Sequence, residues 1–434
     1  MKATQTKSKV MTPRGLAAQS LVSLEKNGRY SNLEIDSALK NTDLTPADRA
    51  LYTRLVYGVT ERRITLDYII SQYSRIAVDE LDADVKTALR LGIYQLIFMD
   101  RIPAHAAVSE SANLVPRSKA GYVNAVLRTL QRAGLEYKLP DESNRINYLS
   151  VKYSVPEDLV RVFDETCGDE CEALLEALNR EPKIGIRVNT LKTSVADAVE
   201  LTCGTQSTIA RDVIKVDGLS EAVRRGIDDG LWFVQDEASY ITALSVGALP
   251  GEHVIDTCAC PGGKSFSLAI NMENRGELHS FDLHKNKLSL IESGANRLGI
   301  SIIETKEVDG RAPLEELFGT ADRVLCDAPC SGLGVIAKKP DIRYKSIADI
   351  ERLPEIQYAI LSGAAKYVKD GGVLVYSTCT INKRENEDVV LHFLADNPEF
   401  KLTDDENLGG GMKTFLPHKD GCDGFFAAKM IKTN

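Results

Sequence analysis

An α/β fold preceded by an all-α domain is what this 434-residue sequence predicts, on three observations. Apolar residues recur at helical spacing from Pro13 to about Arg132. From Trp232 onward short apolar strands alternate with helical stretches, a pattern that demands a parallel sheet covered by helices on both faces. Within that alternation, residues 254–269 (V-I-D-T-C-A-C-P-G-G-K-S-F-S-L-A) read as strand, glycine turn and helix. In open α/β sheets such a turn lies at the carboxyl end of a strand, where ligands bind, and its glycines let the backbone approach a bound molecule. Three regions follow: a helical domain over 1–140, a linker and small α+β region over 141–230, and the α/β domain over 231–434.

Size and composition agree with two or three ordinary domains and carry no signature of disorder. No apolar stretch approaches a membrane span, and the N-terminal segment is polar and lysine-bearing, unlike a signal peptide; a cytoplasmic, monomeric protein is expected. Nine cysteines without paired C-x-x-C sets argue against both a disulfide framework and a zinc site. The net charge of −9 argues against binding a polyanion over the whole surface. Yet residues 1–150 carry +5 and the remainder −14, which is compatible with local contact to one.

In the helical front, Leu51, Leu55 and Val59, and then Val85, Leu89, Ile93 and Leu96, recur every three or four residues. Pro103 starts one helix and Pro116 stops it. The polar stretch from Lys138 to Arg145 reads as a linker. Helices are expected over Pro156–Phe163, Glu170–Leu178 and Val195–Leu201, with strands at Ile184–Val188 and Val213–Val216. In the back domain, strands end at Asp256, Asp282, Asp309 and Asp327, a helix runs from Lys285 to Leu298, and a long helix covers about Ile347 to Val368. A fifth strand, Gly372–Tyr376, leads into Ser377-Thr378-Cys379, and Gly424–Ile431 suits a last edge strand.

Four carboxylates at one sheet edge repel unless donors meet them, so a ligand rich in hydroxyl, amino or ammonium groups is the functional explanation. An acid in the position of Asp282 suits ribose hydroxyls. The plain structural alternative is that some of these aspartates cap helices. Metal is a poor rival, because no helix carries His pairs at ligand spacing and the chain has six His; no metal is expected. The loop matches neither the dinucleotide pattern nor a phosphate-binding P-loop. Cys330, after the fourth strand, and Cys379, after the fifth, would stand where one substrate meets both. A thiolate attacks electron-poor carbons. Cytosine is such a substrate: sulfur added at C6 makes C5 nucleophilic enough to take a methyl group, and a base then removes the C5 proton so that sulfur can leave. Asp327 beside the ring would hydrogen-bond its exocyclic amine or ring nitrogen.

These segments carry a family resemblance. R-I-P-A-H-A-A-V-S-E-S-A-N-L-V from Arg101 and G-Y-V-N-A-V-L-R from Gly121 resemble the RNA-binding helical domain of the NusB type, where a helical bundle for docking is the alternative. G-I-R-V-N-T-L-K from Gly185 resembles the segment before the catalytic domain of RNA cytosine methyltransferases. Residues 256–264 (D-T-C-A-C-P-G-G-K), 327–334 (D-A-P-C-S-G-L-G) and 376–380 (Y-S-T-C-T) resemble the three signatures of the RNA cytosine-5 methyltransferases. Together with the NusB-like front they resemble the bacterial 16S rRNA cytosine-C5 methyltransferases of the RsmB/Sun/Fmu family, from about Pro13 to Lys432. The resemblance implies a Rossmann-like class I S-adenosylmethionine methyltransferase domain acting on 16S ribosomal RNA, with no membrane partner. It implies that Cys258, Ala259, Cys260, Pro261, Gly262, Gly263 and Lys264 hold S-adenosylmethionine, with Asp282 on the ribose, Asp309 near the adenine and Asp327 between cofactor and cytosine. Cys379 would be the nucleophile and Cys330 would assist release. Cys260 departs from the usual A-A-P or A-S-P of that loop. Transfer RNA as substrate, and a catalytically silent RNA-binding factor, are the alternatives.

Overall fold

The computed structural model describes residues 12–27 and 30–433; the N-terminal segment expected to differ from a signal peptide lies outside them. The chain forms two compact units, one of residues 1–161 with 339–344, the other of residues 162–338 with 345–434.

The first unit is helical, as the spacing predicts. Thr45 caps the helix Pro46–Glu61 by accepting from the Asp48 amide, and Pro46 sits where a missing N–H costs nothing. Its apolar stripe, Leu55, Val56 and Val59, packs with Leu66, Ile69, Leu89, Ile93 and Leu127 in one core. Pro103 and Pro116 each precede a helix, Ala104–Ala112 and Arg117–Arg132. A further helix, Arg145–Tyr153, begins where the linker was expected to end, capped by Asn144. Residues 339–344 belong to this unit through Arg343, fully buried, which donates to the carbonyls of Glu61, Tyr153 and Ser154.

The second unit contains two sheets. The smaller is antiparallel, of β1 (Ile184–Val188), β2 (Thr205–Gln206), β3 (Val213–Val216) and β4 (Trp232–Val234), in the order β2-β3-β1-β4. The single tryptophan, Trp232, is buried beneath it, and Gly226 is required there because a Cβ would lie 1.9 Å from its ring. The larger sheet holds β5 (His253–Asp256), β6 (Glu277–Asp282), β7 (Ile303–Glu307), β8 (Ala321–Asp327), β9 (Val368–Thr378), β10 (Phe400–Leu402), β11 (Met412–Phe415) and β12 (Phe425–Lys432). Its order is β10-β12-β9-β8-β5-β6-β7, with β11 also on β12; β5 to β9 are parallel, and β12 runs antiparallel to β9.

Side chains alternate between the two helix-covered faces of this sheet. Val324, Cys326, Leu374 and Tyr376 enter one core with Leu361 and Phe393; Leu325, Val373 and Val375 enter the other with Leu268, Ile291 and Leu298. Each of these burials contributes roughly 1.5–3 kcal/mol, so a one-residue slip in register would expose the whole set.

Two expectations are corrected. The long helix over Ile347–Val368 is two helices, Ile347–Glu351 and Leu353–Ala365, and Val368 already belongs to β9. Pro354 has no N–H to continue the first helix and starts the second. The C-terminal strand is not an edge: β12 is flanked by β9 on one side and by β10 and β11 on the other, two short strands without a distinctive apolar pattern.

Candidate active site

The turn after β5 places the loop 257–262 and the helix Gly263–Asn271 at the carboxyl edge of the sheet. Gly262 has φ +111° and a Cβ there would strike the Phe266 ring at 2.5 Å, so no other residue fits this cap. The helix has no side-chain cap and no acid in its first turn, which leaves amide N–H groups and the positive end of its dipole for an anion. Asp256 is fully buried and accepts from Ser265 at 2.7 Å; burial pushes its carboxyl up to about 7, so it is part of the scaffold rather than a ligand. Cys258 is half-buried against the core that holds Cys326, and desolvation there holds its thiol far above the usual range. Burial and the neighbouring Asp282 push Cys260 up to about 12.

The other strand-end acids differ in their partners. Asp282 accepts from the His284 amide at 2.9 Å. Asp309, beyond β7, is gripped through both oxygens by Arg311, whose hydrogen bonds hold its carboxyl below the usual range. Asp327 accepts from the Lys264 ammonium at 2.6 Å and from Ser377 Oγ at 2.7 Å. The lysine that follows the glycine turn thus reaches the acid at the end of β8, with its ammonium 4.7 Å from the Phe425 ring centre.

Two thiols from neighbouring loops meet beside this pair: Cys330 Sγ and Cys379 Sγ are 3.2 Å apart. The hydrogen bond to Cys379 holds the Cys330 thiol well above its ordinary value, and burial and the charges of Cys379, Glu385 and Asp327 add to it. Either sulfur can donate in this contact, and the two thiols share one proton-binding environment.

The loops are tied by a group that spacing did not reveal. Glu385, wholly buried, accepts from Ser331 N at 2.8 Å, Ser331 Oγ at 2.6 Å, Gln357 Nε2 at 3.0 Å and Asn382 Nδ2 at 2.9 Å. It joins the residue after Cys330 to the turn after Cys379. Gly334 completes the union: its N–H donates to the Cys379 carbonyl at 3.1 Å, and its carbonyl accepts from Gly424 N at 2.9 Å. A glutamate three residues beyond an asparagine gives no hint of this in sequence. No metal was expected; His253, Glu277 and His279, at the amino ends of β5 and β6, nevertheless hold potential ligand atoms within 4.8 Å of one another, at the edge opposite the thiols. That grouping crosses strands, so a search for His pairs on helices does not find it.

A parallel sheet in this order, with an antiparallel strand beyond β9 and a glycine turn after the central β5, is the Rossmann-like arrangement shared by S-adenosylmethionine-dependent methyltransferases. The uncapped helix start, the Gly262 turn and the partly exposed Asp282 fit a cofactor that bears a carboxylate and ribose hydroxyls. The profile described as 16S rRNA methyltransferase RsmB/F matches residues 243–431; NusB family matches 11–132, and an RsmF/B-like ferredoxin-like domain matches 155–203. A probable ribosomal RNA small subunit methyltransferase B from Bacillus subtilis (strain 168) is 36% identical, over 96% of this chain and 98% of its own. Its namesake from Synechocystis is 34% identical over 98% and 100%. Among solved structures, the protein PH0851 superposes with TM-score 0.79 at 29% identity, over 98% of this chain and all of its own. NSun6 from Pyrococcus horikoshii, solved with the S-adenosylmethionine analogue SFG, shares the fold at TM-score 0.57 and 23% identity, over 64% of this chain and 98% of its own. The chain belongs to the RsmB/F family of RNA methyltransferases, and its cofactor is S-adenosylmethionine. No helix among the described residues is long and apolar enough to cross a membrane.

Proposed function

We propose that this protein methylates C5 of a cytosine in 16S ribosomal RNA, in the cytoplasm and as a monomer, with Cys379 as nucleophile. The observation that carries it is the sulfur pair at 3.2 Å beside the Lys264–Asp327 pair, at the carboxyl ends of β8 and β9. The Cys379 thiolate adds to C6 of an extruded cytosine, and the ring electrons pass to C5. S-adenosylmethionine supplies the methyl group as an electrophile. A base then takes the C5 proton, the C6–S bond breaks, and the sulfur leaves as thiolate. Asp327, held by Lys264 and Ser377, accepts from the exocyclic amine and fixes the ring over the sulfur. The Cys330 sulfur, 3.2 Å from Cys379, supports a role for Cys330 beside the departing sulfur. We further infer that residues 258–264 with Asp282 and Asp309 hold the cofactor, and that the regions 1–140 and 141–230 handle RNA ahead of the catalytic region 231–434.

Labelled cofactor incubated with small-subunit RNA lacking its modifications tests the reading: label is expected at cytosine C5. Label confined to transfer RNA would move the substrate, and no cofactor binding by calorimetry would revive the silent RNA-binding factor. Cys379→Ala should abolish turnover, whereas Cys330→Ala should leave protein trapped on RNA as a denaturation-resistant adduct; the reverse pattern inverts the assignment.

A further inference from the structure

Outside the thiol pair, the second unit contains a cavity of about 240 Å³, walled on one side by Lys183, Gly185 and Lys215 near the small sheet and on the other by the segment ending at Lys338 and the turn ending at Asp423. Gly334 also lines it. The cavity therefore shares a wall with the active site, because Gly334 N–H donates to the Cys379 carbonyl and Gly424, next to Asp423, donates to Gly334.

Its polar lining is ordered. Lys338 Nζ lies 2.8 Å from Asp236 Oδ2 and 2.7 Å from Asp423 Oδ2, and all three side chains are mostly buried. Asp236 is fixed as the cap of the helix Glu237–Ser245 and also accepts from the Asp423 amide. Two carboxylates around one ammonium present acceptors beside a donor. An ammonium has three N–H groups, and two are spent on the carboxylates, so a third is left for a ligand acceptor. Guanine is the base whose Watson–Crick edge matches this array, with two adjacent donors, N1–H and the 2-amino group, beside the O6 acceptor. Adenine and cytosine lack adjacent donors, and uracil has a single donor between acceptors. Lys183, which also lines the cavity, pairs with Asp217 at 3.4 Å with both side chains exposed, a weak contact that leaves it available to a phosphate.

We propose that this cavity is a specificity pocket for a guanine that neighbours the methylated cytosine in the RNA chain, its N1–H and 2-amino group donating to Asp236 and Asp423 and its O6 accepting from Lys338. This rests on the RNA methyltransferase reading above. RNA is read sequence-specifically through unstacked bases, and a base stripped of its neighbour when the cytosine is extruded needs such a receptacle. The array also discriminates, since a base lacking the matching group makes fewer hydrogen bonds to it than guanine does.

The test uses the full chain and a small-subunit RNA hairpin containing the target cytosine, with the base on its 5′ or 3′ side set in turn to guanine, inosine or adenine. Inosine removes only the 2-amino group; replacing guanine with it on one side is expected to lower kcat/KM roughly tenfold, and adenine further. Asp423→Asn, with its fold checked by circular dichroism, should collapse that discrimination. Independently of turnover, 6-thioguanosine at the same position should photocrosslink to the peptide carrying Lys338 or Asp423. Hairpins methylated equally with guanine, inosine and adenine on both sides, or crosslinks found only elsewhere, overturn the pocket while leaving methylation standing. A crosslink in the pocket without methylation sinks the methylation reading and keeps the pocket. Guanosine monophosphate that binds as tightly as the hairpin would overturn the assignment to an RNA-borne guanine.

Discussion

Replacing Glu385 tests whether one buried carboxylate sets the sulfur pair. Glu385→Ala removes the acceptor of four donors. Two have an alternative: Ser331 Oγ can turn to Thr380 Oγ1 at 2.8 Å, and Gln357 Nε2 retains the Pro329 carbonyl at 3.0 Å. Ser331 N and Asn382 Nδ2 lose theirs outright. At ~1–3 kcal/mol for each buried donor left unsatisfied, the loss is about 4 kcal/mol. Glu385→Gln keeps the shape and one oxygen but turns an N–H toward existing donors, which costs about 2 kcal/mol. Trp232, the single tryptophan, lies in the same compact unit and reports its urea unfolding by fluorescence. Because the four bonds connect the residue after Cys330 with the turn after Cys379, both variants should lose kcat far more than affinity for RNA. A Glu385→Ala protein within about 1 kcal/mol of the parent, or one less perturbed than Glu385→Gln, would refute this account.

Asp256 gives a pH signature. Its folded carboxyl holds its proton up to about 7 because of burial, whereas an unfolded one releases it near 4, so this group makes stability fall as pH rises from about 4 to 7 and adds no further slope above. Asp256→Asn should flatten that slope in urea midpoints taken at pH 5 and pH 8; an unchanged slope assigns the effect elsewhere. Gly334→Ala would bring a Cβ within 1.8 Å of the Gly424 carbonyl, and the collision of backbone with backbone should cost about 3 kcal/mol and displace Cys379, read as a lowered melting temperature and lost methyl transfer. Iodoacetamide at neutral pH should label exposed Cys203 first, with Cys260 and Cys326, both pushed up to about 12, reacting much later. Peptide mass spectrometry follows the order, and Cys260 labelling as fast as Cys203 would contradict it.

Periodicity alone set much of this architecture. Val324, Leu325 and Cys326 alternate between the two cores, and the helix Lys285–Leu298 occupies the span its spacing predicts, because a stripe or an alternation must find an apolar partner wherever the chain goes. The loop 257–262 and the two thiols were legible for a similar reason: glycine turns and strand-end residues in a parallel sheet emerge on one edge whatever the strand order. Tertiary structure alone decided which of those edge groups meet. Asp256 is enclosed as scaffold, Asp309 is taken by Arg311, and Lys264 reaches across to Asp327. Glu385, Gly334 and the Asp236–Lys338–Asp423 array join residues up to 187 positions apart. Such contacts are set by how β8, β9 and β12 pack together, and long-range pairing of polar side chains leaves no period along the chain.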